Sequence, residues 1–295
     1  MRSILESTAQ MSVPAEAEGM AKQSLVVRSS AMLHEQTEYN TSLAVHCDVV
    51  NANLTIVGNA SFKGSILNST IMCFGQLRVV GHCQGSTIYA RGNVSAFIVR
   101  GSDIFSEQNI LLQREATDST LQAAASIFAS TANVGASRLS ACDTMILHKV
   151  RTETDQACEL ELGNIFLRRR KECILYRRML ADFHDLKTKR EVVQALQHQR
   201  EQGLELTSPS AHLLRADSEL EQLITQSRQS EELYRSLCEQ WANPTHYHTT
   251  VLSNIDAGTI IRIGEEELVV EKDRITAEYE LSDGKLSFRY NSLKA

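Results

Sequence analysis

Two histidines with one residue between them form the clearest pair of metal ligands in the chain. His246 and His248 flank Tyr247, so on an extended strand both imidazoles would point to the same side. Imidazole is a common zinc ligand, and Cys238 lies nearby in sequence. A third ligand at a spacing typical of a zinc site is missing. We therefore predict no metal site here and interpret the segment as a surface linker.

Serines recur in front of an aliphatic residue at nearly constant intervals, which raises the question of a nucleophile. The motif Ser-x-Ile/Leu has its serines at Ser69, Ser86, Ser102, Ser119 and Ser137. A catalytic nucleophile is a single activated residue, whereas here every repeat carries the same hydroxyl. We predict a structural ladder of hydroxyl groups at a corner of the fold.

Acidic side chains near these serines are candidates for catalytic acids or bases. Polysaccharide-degrading solenoids cluster carboxylates on one face, and each group must lie within hydrogen-bond reach of its substrate. Asp103, Glu107, Asp118 and Asp143 occupy different positions within their repeats. We therefore predict that the chain is not an enzyme and needs no cofactor.

Four consecutive cations, Arg168, Arg169, Arg170 and Lys171, form the candidate partner-binding site. Such a run could contact an anionic lipid or nucleic acid, although it is more often one solvated face of a helix. No aromatic residues interleave with it to stack on single-stranded bases. The formal net charge of −6 gives no general attraction to nucleic acid. We predict protein partners and no nucleic acid.

The seven cysteines fit reduced thiols. They are odd in number and form no Cys-x-x-Cys pair, which favours a cytoplasmic protein over a disulfide-bonded one. Cys73 falls in a column of small residues and is expected in the core. We see no secretory leader and no stretch of about 20 apolar residues, so no integral membrane segment is expected.

An internal repeat predicts the fold. The aliphatic residues of the serine motif recur about every 17 residues and are Ile71, Ile88, Ile104, Leu121 and Leu139. Small residues follow two positions later, and apolar residues follow six and eight positions later. This period-2 alternation is typical of strands with one buried face. Stacking the copies at ~4.8 Å buries those faces together, so we predict an all-β solenoid: a parallel β-helix, with right-handed winding as the expectation.

After Gly163 the periodicity becomes helical. One seam follows the 4-3 spacing of a coiled coil through Met179, Phe183, Leu186, Arg190 and Val193. A second seam comprises Ala216, Leu220, Leu223, Ser227, Ser230, Tyr234, Leu237 and Trp241.

The two predicted helices carry opposite charges. Residues 166–202 contain ten Lys/Arg and five Asp/Glu, and residues 211–241 contain three and six. Opposite charges favour an inserted antiparallel α-helical coiled-coil hairpin, roughly 45–55 Å long at 1.5 Å per residue. The serines weaken the second seam, so either the pair is marginal or another chain completes it by association through the coiled coil.

These patterns divide the chain into four parts. We expect an N-terminal cap or a partly disordered lead-in over residues 1–40, the β-helix over 41–163 and the coiled-coil hairpin over 164–243. Residues 244–295 are expected to form a β segment that closes the open end of the β-helix. Within this segment, Asp283-Gly284 is a strong hairpin-turn signal.

The order of these parts resembles the flagellar assembly protein A (FapA) family. The resemblance spans roughly residues 43–290 and includes the tail sequence Gly258-Thr259-Ile260-Ile261-Arg262-Ile263-Gly264. It implies a bacterial cytoplasmic scaffold of flagellar or cell-pole organisation, acting through protein contacts of the β-helix and the coiled coil. A polymer-forming, bactofilin-like cytoskeletal protein and a solenoid acyl or sugar transferase are the alternatives.

Overall fold

The computed structural model describes residues 24–30, 33, 37–152, 156–201, 209–242, 247–282 and 285–290. The chain separates into two compact units: the solenoid, Met1–Asn164 together with Tyr247–Ala295, and the helical insertion, Ile165–His246. Most of the predicted N-terminal cap lies outside the described residues. Within it, Ser24–Val27 forms a strand that pairs in parallel with Ser42–Val45.

The solenoid consists of short strands that alternate between two long sheets. In chain order they are β1 Ser24–Val27, β2 Glu38–Tyr39, β3 Ser42–Val45, β4 Val49–Val50, β5 Asn53–Ile56, β6 Ala60–Phe62, β7 Ile66–Leu67, β8 Thr70–Cys73, β9 Leu77–Gln84, β10 Thr87–Ala90, β11 Val94–Arg100, β12 Asp103–Ser106, β13 Ile110–Thr117, β14 Thr120–Ala123, β15 Ile127–Gly135, β16 Arg138–Ala141, β17 Thr144–Arg151, β18 Glu159–Leu162, β19 His248–Ile255, β20 Ile260–Ile263, β21 Glu266–Val269, β22 Arg274–Ser282 and β23 Lys285–Tyr290.

Each sheet grows by adding the equivalent strand of the next coil. One sheet has the order β1-β3-β6-β9-β11-β13-β15-β17-β19-β22-β23, with β4 and β7 joined to it through β9. The other has the order β2-β5-β8-β10-β12-β14-β16-β18-β20-β21. Pairing is parallel throughout the coils, which confirms the predicted parallel β-solenoid.

The predicted aliphatic column is present and extends beyond the five repeats found in the sequence. In register, its members are Leu54, Ile71, Ile88, Ile104, Leu121, Leu139, Leu160 and Ile261. All are at most 1% exposed, so the column forms one wall of a continuous core. The last step, from Leu160 to Ile261, is long in sequence because the helices are inserted between β18 and β19. About eight turns are stacked in this way.

One corner of each coil uses the left-handed backbone conformation. Positive φ angles between 45° and 57° recur at Asn51, Asn68, Gly85, Gly101, Asp118 and Ala136. Asparagine, aspartate and glycine tolerate this conformation better than other residues. In five of the six coils the next residue is a serine of the repeat motif. This corner therefore explains why a small residue recurs directly before the serine at the coil spacing.

Differences of one residue in coil length are absorbed in the middle of the long strands. Between β9 and β11 the register shifts after Ala96, and it shifts again between β13 and β15 after Leu111. The residues on either side return to the same columns. Coils of slightly different length are therefore compatible with one continuous stack, because a bulge takes up the extra residue.

Antiparallel pairing ends the solenoid on its C-terminal side. Strand β20 pairs antiparallel with β21, and β19 pairs antiparallel with β22, which in turn pairs with β23. Tyr279 and Ala277 on β22 are fully buried against the last coil. Antiparallel strands thus follow the last parallel coil. The predicted turn at 283–284 lies outside the described residues.

The insertion consists of two long helices, α1 Ile165–Glu201 and α2 Pro209–Ala242. Contacts between them run in opposite directions along the two sequences: Tyr176 meets Tyr234, Asp182 meets Gln226 and Lys189 meets Glu219. The pair is therefore an antiparallel hairpin, as predicted. With 37 residues, α1 is roughly 55 Å long.

Candidate interaction surfaces

The repeated serines form a hydrogen-bonded ladder. The backbone N–H of each of the first four serines donates to the hydroxyl of the serine in the next coil, as from Ser69 to Ser86 (3.1 Å) and from Ser86 to Ser102 (3.1 Å). Each hydroxyl donates in turn to a backbone carbonyl, as Ser86 does to Gln84 (2.9 Å). All five serines are buried. Their hydroxyls are used for structure, and the prediction of a hydroxyl ladder is confirmed.

The acidic residues near the repeated serines lie in separate columns. Asp103 aligns with Thr87 and Thr120 on the outer face of its sheet, whereas Asp118 occupies a left-handed corner. Glu107 contacts the hydroxyl of Tyr89. Within the residues that the structure describes, no group of three His, Cys, Asp or Glu side chains is placed to hold a metal ion. His248 is exposed on β19, and His246 lies outside the described residues.

The cysteines divide into buried and exposed groups. Burial raises the pKa of Cys73 to about 11 and the pKa values of Cys83 and Cys158 to about 12. These thiols stay protonated at neutral pH and are therefore poor nucleophiles. Cys173 and Cys238, both on the helical hairpin, are exposed.

The seam of α1 differs from the predicted one at two positions. Met179, Leu186 and Val193 face α2, with Leu186 and Val193 buried. Phe183 is 61% exposed and Arg190 is also exposed, so assigning these two to the seam was wrong. Their places are taken by the preceding residues, Asp182 and Lys189. The α2 seam is confirmed for residues 216–237, and the side chain of Trp241 lies outside the description.

Polar contacts hold the centre of the hairpin. Asp182 is only 5% exposed and accepts hydrogen bonds from Ser230 and from Gln226 (2.6 Å). One heptad along α1, Lys189 forms an ion pair with Glu219. The serine that weakens the α2 seam in the sequence is thus the partner of a buried carboxylate. These pairs set the register between the helices because a shift by one heptad would leave Asp182 without its donors.

The predicted partner-binding residues lie in the first two turns of α1. Arg169 and Arg170 are exposed, while Arg168 and Lys171 are half-buried. Cations are unfavourable at the N-terminal end of a helix, where the macrodipole is positive. Acidic residues, which would offset this cost, are absent from the first turn. Interaction with the helix dipole therefore does not stabilise these cations at this end of α1.

An aromatic column on the outer face of the solenoid was not anticipated. Met72, Tyr89 and Phe105 are in register on three neighbouring coils, and the last two rings stack 5.5 Å apart at an interplanar angle of 7°. Beside this column, the guanidinium of Arg91 lies 4.4 Å from the centre of the Phe74 ring. The coil repeat could have predicted this column, because these residues alternate with the inward-facing residues of the same strands.

Comparisons with known proteins identify a family for the fold. The model of the FapA family, described as the Flagellar Assembly Protein A beta solenoid domain, matches residues 49–286. Searches of curated proteins and of solved structures find no significant match. Neither helix of the described hairpin is sufficiently apolar to cross a membrane.

Proposed function

Because the chain belongs to the flagellar assembly protein A beta-solenoid family, we propose that it is a non-enzymatic assembly protein that acts through protein–protein contacts. We propose that it acts in the cytoplasm, at the cell pole. The solenoid provides a rigid stack of coils, and its repeated polar groups are engaged in internal ladders. The inserted hairpin carries the contact residues.

The observation that supports this role is the position of Arg168–Lys171. Arg168 stands in the first turn of α1, where the positive end of the helix dipole disfavours a cation, and Arg169, Arg170 and Lys171 follow directly in the second turn. Local features that oppose stability often mark functional positions. We assign this run to contact with an acidic surface of a partner protein, where charge complementarity increases both association rate and specificity.

The test reverses only the exposed pair, in Arg169→Glu/Arg170→Glu. The matched control is Arg228→Glu/Arg235→Glu, which reverses two exposed cations on α2. Each tagged full-length chain is expressed in the native cell, and recovered partners are quantified by crosslinking and mass spectrometry. We expect at least a tenfold loss of a partner in the first variant and no change in the control. Equal partner profiles would contradict the proposal.

Replacing residues 165–246 by a short glycine linker tests the hairpin as a whole. The solenoid should remain folded because its strands pair independently of the helices, and partner capture should be lost. Fluorescence localisation of the intact chain gives the second readout. A polar focus that disappears in the deletion supports the proposal, whereas a diffuse signal from the intact chain counts against the polar location.

A further inference from the structure

Helix α1 has a second apolar stripe beside the seam that α2 covers. Tyr176, Leu180 and Phe183 are 45%, 48% and 61% exposed. Their 4-3 spacing places them within an arc of about 60° on the helix surface, about 100° from the centre of the α2-facing seam. Tyr176 marks one end of the stripe, where its ring also meets Tyr234 of α2. We define Tyr176, Leu180 and Phe183 as the lateral stripe.

The lateral stripe is large enough to serve as a docking site. The exposed parts of its three side chains amount to roughly 300 Å², the size at which a contiguous apolar patch is often functional. By contrast, two positions of the α2-facing seam are occupied by charged residues, Asp182 and Lys189. Large apolar residues have thus been placed on the solvent side of a helix whose own seam is partly polar.

Cations flank the stripe on its C-terminal side, whereas Glu172, at its N-terminal end, accepts a hydrogen bond from the hydroxyl of Tyr234 of α2 (3.5 Å). Lys187 and Arg190 continue the stripe toward the C-terminus of α1, and Arg177 lies beside it; all three are exposed. The complementary ligand therefore has an apolar centre and acidic flanks. A helix lying along residues 176–190 would need roughly four turns, which is typical of amphipathic helices that bind hydrophobic grooves through i, i+3/i+4 and i+7 side chains.

We propose that the lateral stripe binds an acidic amphipathic helix of another protein. This inference rests on the proposed role of the hairpin in protein contacts and names the kind of partner for residues 176–183, which follow Arg168–Lys171 along α1.

A second copy of the chain fits the stripe less well. Its acidic helix, α2, has exposed large apolar side chains at Leu214 and Leu233. These are about five turns apart, or roughly 28 Å along the helix, so they cannot both enter a stripe that covers only two turns. An anionic membrane also fits less well. A flat surface would approach both helices, and the net charge of −3 on α2 would largely offset the net charge of +5 on α1.

The experiment uses the full chain and two fluorescent peptides, each long enough to form about six helical turns. Both peptides carry leucine at i, i+3/i+4 and i+7; one has glutamate on the flanks and the other has lysine. Binding is measured by fluorescence anisotropy at low and at moderately high salt concentration. We expect the glutamate peptide to bind, with weaker binding at the higher salt concentration, and the lysine peptide not to bind.

Variants assign the binding to the stripe. Leu180→Ser/Phe183→Ser should weaken binding of the glutamate peptide at least about tenfold. Val192→Ser is the matched control, since Val192 is 44% exposed on the same helix but lies outside the stripe. Lys187→Glu/Arg190→Glu should reverse the preference toward the lysine peptide, while Arg178→Glu should not. Circular dichroism of each variant verifies that the helices remain formed.

Several results would overturn the proposal. Binding that is equal in Leu180→Ser/Phe183→Ser and the unaltered chain would show that the stripe is not the site. A dimer that dissociates in this variant, without peptide binding, would identify a second copy as the occupant. Co-sedimentation with vesicles of an equimolar mixture of phosphatidylcholine and phosphatidylglycerol, without peptide binding, would identify a lipid surface. If the peptide binds as expected but native partners are retained after hairpin deletion, the stripe stands and the proposed cellular role fails.

Discussion

Replacing Ser86 of the serine ladder should weaken the solenoid locally, at the backbone N–H of Ser69. Ser86 is 2% exposed, and its hydroxyl accepts the N–H of Ser69, which is 3% exposed. In Ser86→Ala this buried N–H loses its acceptor, and an unsatisfied buried donor costs about 1–3 kcal/mol. The carbonyl of Gln84, to which the hydroxyl donates, still accepts the N–H of Asn68 at 2.9 Å. The hydroxyl also lies 3.3 Å from the carbonyl of Ile66. The unpaired N–H of Ser69 is the main loss, and we expect the middle of that range, about 2 kcal/mol.

Amide hydrogen exchange measures this loss where it occurs. A global unfolding curve is less suitable because the chain contains two units and need not unfold in one step. A loss of about 2 kcal/mol corresponds to roughly 30-fold faster exchange at Ser69. The control is Ser95→Ala, since Ser95 points outward and its hydroxyl makes only an exposed contact of 3.4 Å with Gln113. Protection of Ser69 that is equal in both variants would refute the ladder as a source of stability.

Three further predictions concern the core and the corners. Gly75→Ala should lower the free energy of unfolding by about 3 kcal/mol or more, because the added Cβ would lie 2.8 Å from the backbone of Gly58. Gly101→Ala should lower it by only about 1 kcal/mol, because Gly101 has φ of +53° but open space around it. Similar melting temperatures of the two variants would contradict this prediction. Burial raises the pKa of Cys83 to about 12, so the contribution of this thiol to stability is complete below pH 9 and is lost from there toward pH 12, by about 1.4 kcal/mol per pH unit. In Cys83→Ala, the free energy of unfolding measured in urea should therefore fall less steeply between pH 9 and pH 10.5. A slope equal to that of the unaltered chain would contradict this prediction. Thr249→Val should raise the free energy of unfolding by about 1 kcal/mol in urea titrations, because the fully buried Thr249 hydroxyl has no hydrogen-bond partner among the described residues. A destabilised variant would show that the hydroxyl has a partner.

The coil repeat could be predicted from sequence because each inward position has one simple requirement. Ile88, Ile104 and Leu121 were identified by spacing alone, and they stack in adjacent coils as expected. Because neighbouring coils stack, residues one repeat apart in the sequence contact each other in the fold. The left-handed corner could not be inferred in the same way, since Asn68, Gly85 and their equivalents share a backbone conformation without sharing a side chain.

The hairpin seam was predicted only in part because α1 has two overlapping 4-3 patterns. The seam pattern includes Phe183 and leaves out Asp182, as expected if an aromatic residue indicates the buried side of a helix. The choice fails here since Ser230 and Gln226 on α2 supply donors to the carboxylate. A single helix sequence does not contain that information. The basic run was identified correctly as part of a helix, but its position in the first turns was needed to recognise that it opposes the helix dipole.

The register shifts in the long strands have a consequence for how such a protein can be altered. Side chains on either side of the shift return to their columns whether the strand is one residue longer or shorter. Ser130 and Thr131 lie at such a shift on β15, and both are exposed. A peptide tag or small domain grafted between them should leave the neighbouring coils undisturbed. The same tolerance would allow related chains to acquire loops there while keeping the interior unchanged.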